Sequence, residues 1–133
     1  MSLPFQIELQ SQVDGYSYQV FTNSDTRFWF RLVRERDRDI VTDYFLGSFP
    51  HKYGGALLAE CYKTLGFRPR TTIVFRDILC GRDASDAAAF EEARELYESA
   101  GESLLTQYGL HTTDRRTEEA LGKVDLLIFA SET

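Results

Sequence analysis

A pair of glycines in front of a short amphipathic helix is the sharpest chemical feature of the sequence. Gly54 and Gly55 precede a stripe of apolar residues at helical spacing, formed by Leu57, Leu58, Cys61, Tyr62 and Leu65. The free N–H groups and the positive dipole end of such a helix start can hold a phosphate. Gly66 and Pro69 are typical of a helix end. Residues 50–67 therefore predict a core helix, either alone or with an anion site at its start.

A second set of reactive side chains surrounds Cys80. The dipole of a following helix would favour its thiolate, and His51 or His111 would complete a nucleophilic pair, although no sequence feature brings them together. Asp77 and Asp83 flank the cysteine. They are candidates for an acid–base pair, or simply a strand residue and a helix cap. With two histidines and no closely spaced cysteines, the sequence predicts no metal site.

Composition excludes several classes of function. The chain has 133 residues and a net charge of −6, which fits one domain spanning 1–133. Its last third is strongly acidic, which argues against non-specific binding of nucleic acid. No apolar run approaches the roughly 20 residues of a membrane span, and no secretory signal precedes the first strand. Two cysteines fit a reducing compartment, so we expect a cytoplasmic protein of undetermined oligomeric state.

The elements that position these residues follow from hydrophobic periodicity. Alternation of apolar and polar residues predicts an antiparallel meander of four strands, at 5–9, 16–22, 26–34 and 40–49. The charged run 34–39 is expected to be a solvated hairpin end. Four arginines between 68 and 82 either border a strand in solvent or face an anionic ligand.

The second half alternates helices and strands. After the first helix, a continuous apolar run at 71–79 predicts a strand covered on both faces. A long helix follows, capped by Asp83 or Ser85, and residues 103–108 either continue it or are extended. Residues 111–122 are expected to form a polar loop before a last strand at 124–130.

The resulting order, ββββ-αβ-α-β, predicts an α+β fold. We expect a mixed, mainly antiparallel sheet of about six strands with two principal helices.

This order, with a glycine turn after the fourth strand, resembles the core of the GCN5-related N-acetyltransferases (GNAT). That family carries R/Q-x-x-G-x-G/A in the turn, and the sequence has His51-Lys52-Tyr53-Gly54-Gly55-Ala56 there, with His in the first position. The next helix of the family commonly carries A-x-x-L-Y-E-x-x-G. Residues 93–101, ARELYESAG, match each of those fixed positions. The family also places two helices between its first two strands, and residues 10–15 are too few for them.

The resemblance implies a small N-acyltransferase that uses acetyl-CoA as cosubstrate. The segment from His51 and Lys52 to Ala56 would bind the cofactor, with the backbone N–H groups of Tyr53, Gly54, Gly55 and Ala56 on the pyrophosphate. Tyr97 would protonate the departing CoA thiolate.

Two other hypotheses stay open. The first is a regulator that binds a ligand without chemistry. The second is a non-catalytic interaction domain, of adaptor, immunity or chaperone type, that binds a protein partner through the acidic face of its long helix. That face carries Glu91, Glu92, Glu95, Glu98 and Glu102.

Overall fold

A strand-rich first half is followed by a half in which helices and strands alternate. The computed structural model describes residues 5–9, 16–22, 26–46 and 54–132, with side chains described in 31–42 and 58–132. The elements in chain order are β1 (Phe5–Leu9), β2 (Tyr16–Thr22), β3 (Thr26–Arg34), β4 (Arg38–Leu46), α1 (Gly54–Leu65), β5 (Thr72–Phe75), α2 (Ala87–Gln107), β6 (Leu110–Ala120) and β7 (Lys123–Glu132). None of the described helices is long and apolar enough to cross a membrane.

The described strands form one sheet in the order β1-β2-β3-β4-β5-β7-β6. Within it β4 and β5 are parallel, and every other neighbouring pair is antiparallel. α1 supplies the crossover that a parallel pair requires. The predicted α+β class is therefore confirmed, with its mixed, mainly antiparallel sheet and two helices.

The seventh described strand is a correction. Residues 110–120, expected to be largely a polar loop, form β6 and pair with β7, with one register shift between Thr112 and Asp114. Leu110 is the buried residue of this strand, and the residues from Thr113 onward are exposed on both faces. A strand exposed on both faces shows no apolar alternation, so the sequence carried no period-2 signal for it.

The bounds of α2 and β5 also differ from expectation. α2 continues through residues 103–107, which decides the open alternative in favour of helix. Its cap is Asp86 rather than Asp83 or Ser85, because the Asp86 carboxylate accepts hydrogen bonds from the N–H groups of Ala88 and Ala89. β5 ends at Phe75 instead of residue 79.

Both helices pack on one face of the sheet. Their apolar residues share one core with alternate strand residues such as Val41, Ile73, Phe75 and Leu126. A smaller cluster on the opposite face holds Ile40, Val74 and Leu127, with Val33 and Phe129 against it. β5 therefore contributes to both, which confirms that it is covered on both faces.

A buried carboxylate lies where the β3–β4 hairpin meets the end of α1. Asp39 is fully buried, contrary to the expectation that residues 34–39 are solvated. It accepts hydrogen bonds from Arg34 Nε at 2.9 Å, Tyr62 Oη at 2.7 Å and the Arg70 N–H at 3.1 Å. A buried charge is tolerated because it is paired and its oxygens are hydrogen-bonded. This Asp39 cluster joins a hairpin, a helix and the chain that leads into β5.

The predicted end of α1 lies beside this cluster. Gly66 has a φ of 72°, and the Phe67 N–H donates to the Tyr62 carbonyl at 3.0 Å, which is the hydrogen bond of a glycine-terminated helix. The Arg34 guanidinium then lies 4.5 Å from the centroid of the Phe67 ring. The helix end predicted from Gly66 is thus confirmed.

Loss of the Asp39 charge should destabilise the fold. We expect Asp39→Asn to lower the free energy of unfolding by about 2–4 kcal/mol, because Arg34 is left without its counter-charge. Tyr62→Phe removes one hydrogen bond and should cost about 1 kcal/mol. Urea denaturation measures both. Asp37→Asn is the matched control, because Asp37 is exposed and its ion pair is a surface contact. Equal losses for Asp37→Asn and Asp39→Asn would contradict this role.

Candidate functional site

The two parallel strands part at their carboxyl ends. β4 and β5 pair from Arg38–Thr72 to Val41–Phe75, and the last link is the Arg76 N–H to the Val41 carbonyl at 2.9 Å. β4 then continues to Leu46, whereas the chain after β5 turns towards β7. In the described part of the chain, residues 42–46 of β4 have no partner on this edge. We call this opening the β4–β5 gap.

The first turn of α1 follows from the same end of the sheet. Gly54, Gly55 and Ala56 begin the helix as predicted, so their N–H groups belong to the turn that lacks intrahelical acceptors. The crossover from the end of β4 to the start of β5 places this turn at the carboxyl ends of both strands. His51, Lys52 and Tyr53 lie outside the described residues, and their cofactor role stays a prediction.

Tyr97 lies beside the end of β5. Its ring packs against Phe75, with the ring centroids 5.2 Å apart, and its side chain is buried. Its hydroxyl is 3.9 Å from Cys80 Sγ, in the turn that follows β5. The structure therefore places Tyr97 at the end of the sheet where the strands part and where α1 begins.

Gly101 explains how α2 lies so close to the sheet. A Cβ at this position would be 2.5 Å from Ile128 Cδ1 and 3.1 Å from Phe75 Cε2. Ile128 and Phe75 are both core residues, so a side chain at Gly101 would displace their side chains or push the helix outwards. Gly101 is one turn from Tyr97, and it therefore contributes to the depth of the tyrosine ring.

The turn after β5 is held by an aspartate from β7. The Asp77 N–H donates to Asp125 Oδ1 at 2.9 Å, and Arg76 pairs with the same carboxylate at 3.5 Å. Asp77 and Cys80 have φ angles of 49° and 52°, so this segment is a tight turn rather than the strand that was expected. Left-handed backbone at non-glycine residues is costly and often marks a functional segment.

Of the two histidines proposed as partners of Cys80, His111 lies far from it, and His51 lies outside the described residues, so that pairing stays a prediction. His111 pairs with Ser131 near the far end of β7, whereas the turn of Cys80 is bonded to Val124 near its start. Seven strand residues separate these points by about 23 Å, so Cys80 and His111 form no pair. Asp83 is exposed and accepts hydrogen bonds from Ser85 within its own turn.

No histidine, cysteine and carboxylate cluster of metal-binding size occurs among the described residues. The contact between Cys80 and Tyr97 was missed from the sequence, since the two residues lie on separate elements and no motif links them.

The charged surfaces are largely neutralised by ion pairs. Arg94 pairs with Glu91 and Glu98, and Arg115 on β6 pairs with Glu98 and Glu102. Arg94 and Arg115 therefore neutralise much of the negative charge on the predicted acidic face of α2. The arginines between 68 and 82 are dispersed as well, with ion pairs from Arg68 to Glu132, Arg76 to Asp125 and Arg82 to Glu92.

A shallow cavity of about 340 Å³ lies between α2 and β6. It is lined mainly by charged residues, among them Arg94, Glu98 and Arg115. Arg94, Glu98 and Arg115 belong to the ion-pair network of α2, so the cavity offers mixed charge rather than one sign.

Comparison with known proteins assigns no family. No family model matches the chain, and no curated protein does. Among solved structures, the chain is similar to a candidate acetyltransferase from Sphaerobacter thermophilus, with a TM-score of 0.39 and 14% sequence identity. The match covers 91% of this chain and 71% of that protein. A likeness this distant assigns no activity. The element order and mixed sheet are compatible with a GNAT-like fold.

Gly101→Ala should destabilise the protein although alanine is the better helix former. The propensity gain is about 1 kcal/mol, and the steric conflict with Ile128 and Phe75 should outweigh it by about 1–2 kcal/mol. Urea denaturation gives the difference. Ser99→Ala on the exposed face of α2 is the control and should be neutral or slightly stabilising. A more stable Gly101→Ala protein would show that α2 has room to move.

The two cysteines should differ sharply in reactivity. Burial, with a smaller effect of the Glu60 charge, raises the pKa of Cys61 to about 12, so its thiol stays protonated at neutral pH. Cys80 is exposed. A thiol-reactive disulfide reagent at pH 8 should titrate one thiol in the native protein and two in denaturant. Two rapid native thiols would contradict the burial of Cys61.

The raised pKa of Cys61 should also make stability depend on pH. Because the unfolded thiol ionises near pH 9, this group should reduce the free energy of unfolding as the pH rises from about 9 to 12.

Proposed function

We propose that the chain is a small acyl-CoA-dependent N-acyltransferase with a GNAT-like fold. The observation that carries the proposal is the β4–β5 gap, with the α1 start and Tyr97 at the same end of the sheet. An opening between parallel strands beside a helix N-terminus suits an extended ligand with a phosphate group at one end. Acetyl-CoA has that form.

The cofactor would lie across the gap. The N–H groups of Gly54, Gly55 and Ala56 would bind the pyrophosphate, together with residues 51–53, which precede them in the sequence. No acidic side chain occupies the first turn of α1 to oppose an anion. The free backbone edge of β4 would hydrogen-bond the pantetheine arm and polarise the thioester carbonyl.

The reaction would be direct transfer to an amine. The amine nitrogen attacks the thioester carbon, a C–N bond forms and the C–S bond breaks. The amine loses a proton to solvent, and the Tyr97 hydroxyl donates one to the departing thiolate and regains a proton from solvent. In the described structure this hydroxyl lies 3.9 Å from Cys80 Sγ.

A second candidate is CoA binding without transfer. The observation that favours it is the burial of Tyr97, which is 7% exposed and close to Cys80. A hydroxyl held there would need a shift of the Cys80 turn before it could reach a bound thioester. Such a protein would keep the pyrophosphate contacts and lack turnover.

Binding is tested by thermal unfolding with acetyl-CoA and with CoA. At about 100 times its dissociation constant a ligand should stabilise by about 2.7 kcal/mol, which is several degrees in midpoint for a domain of this size. Gly54→Asp should abolish the shift, because its carboxylate opposes the pyrophosphate while suiting a helix start. Ser99→Asp adds the same charge on the exposed face of α2 and should leave the shift intact. No shift with millimolar ligand would refute both candidates.

Turnover separates the two candidates. In an amine screen followed by thiol release, Tyr97→Phe should lower kcat by about 100-fold while the affinity for CoA stays unchanged. Binding without thiol release from any amine would favour the second candidate. An unchanged kcat in Tyr97→Phe would remove the tyrosine from the mechanism.

A further inference from the structure

β6 is a long strand at the edge of the sheet with an unusual distribution of charge. Among the described strands it pairs only with β7, and its other edge carries no partner. Residues 113–120 are all exposed. Edge strands of this length are templates for pairing with another chain, and charged side chains ordinarily discourage it. The charges on β6 are instead arranged so that they favour pairing with a second copy of the same strand.

The regular part of β6 is short and symmetric. A register shift between Thr112 and Asp114 interrupts its pairing with β7, and the strand then runs without irregularity to Ala120. Thr117 is the midpoint of Asp114–Ala120. On one side of it lie Asp114, Arg115 and Arg116, and on the other Glu118, Glu119 and Ala120. The strand therefore has a net positive charge before its midpoint and a net negative charge after it.

Two copies of this strand are complementary in an antiparallel arrangement. A two-fold axis perpendicular to the sheet keeps α2 of both copies on one side, so facing side chains share a face and one residue lies on the axis. That residue meets its own copy. From Asp114 to Glu119 every residue except Thr117 is charged, and any charged centre would repel itself.

The register centred on Thr117 pairs opposite charges throughout. Arg115 faces Glu119 of the second copy and Arg116 faces Glu118 of the second copy, and symmetry doubles each pair. Like charges never face each other in this register. Arg115 lies on the α2 side, where it already contacts Glu98 and Glu102.

Arg116 lies on the other side, over the Phe129 ring at 4.9 Å. Where the two copies meet, both faces of the sheet would thus carry ion pairs. Within the described part of the chain Glu118 and Glu119 form no ion pair, so each can accept a partner.

We propose that β6 is a self-association surface through which two copies of this chain pair edge to edge about Thr117. The two sheets then form one continuous antiparallel sheet. The hairpin end adds an apolar contact, because Leu121, fully exposed with a φ of 55°, falls near Thr113 of the second copy. The surface is separate from the β4–β5 gap, so the proposal is independent of the proposed activity.

A charge exchange tests the register. Glu118→Arg and Arg116→Glu each replace two attractive pairs by two repulsive ones and leave Arg115 and its α2 contacts untouched. In sedimentation equilibrium, each variant alone should dimerise at least about tenfold more weakly than the wild type. An equimolar mixture should recover the wild-type affinity as a heterodimer, because Arg and Glu then face each other again. Far-UV circular dichroism checks that each variant is folded.

Glu95→Arg is the matched control. It makes the same change of charge as Glu118→Arg on the exposed face of α2, and it should dimerise like the wild type. Equal weakening by both variants would reduce the effect to net charge and overturn the proposal. A mixture that stays monomeric would overturn it too, as would a wild-type chain that is monomeric up to about 1 mM.

A cross-link tests the position of the axis. On a Cys80→Ser background, Thr117→Cys places two thiols opposite each other at the Cα separation of about 4.5–5.5 Å that a disulfide accepts. Mild oxidation should give a covalent dimer. Ala120→Cys is the control, since its two copies would be about 20 Å apart along the strands. Equal cross-linking of both variants, or none with Thr117→Cys, would overturn the arrangement.

Discussion

The Asp39 carboxylate sets the geometry on which the rest of the molecule depends. It is excluded from water, and it is stable there because a guanidinium, a phenol and a backbone N–H satisfy it. These donors come from the β3–β4 hairpin, from α1 and from the segment before β5. Burial, together with the neighbouring Asp39 charge, raises the pKa of Tyr62, so the phenol remains a donor at any physiological pH. α1 is consequently fixed at its last turn.

Because the last turn of α1 is fixed, its first turn also has a defined position. α1 has twelve residues and is about 18 Å long, so the cluster and the first turn lie at opposite ends of β4 and β5. β4 and β5 are hydrogen-bonded to each other at the end beside the Asp39 cluster, and they separate at the other end. α2 lies close to the separated ends of these strands for a different reason. Gly101 has no side chain, so its backbone packs directly against Ile128. The Asp39 cluster therefore supports one end of the strand pair, and Gly101 determines how closely α2 packs at the other end.

The sequence predicted the elements whose burial is periodic and missed those whose partners are remote. The meander, α1 with its glycine stop and the doubly covered β5 all follow from apolar spacing. β6 was missed because neither face is buried beyond Leu110. Asp39 was misjudged because its charged neighbours in sequence are solvated, and Tyr62 and Arg70 are far along the chain. The glycines and Tyr97 came from a motif, but their meeting at one end of the sheet came only from the topology.

The four residues of β5 have a consequence for how the chain is made. In the described sheet they form the one strand between a meander that is complete by Leu46 and a hairpin that begins at Leu110. On the ribosome, the β4 side of Thr72–Phe75 can pair early, while the β7 side must wait until α2 and β6 have been synthesised. Until then an apolar strand has one bare edge. The sheet therefore closes last at its centre, where β5 pairs with β7.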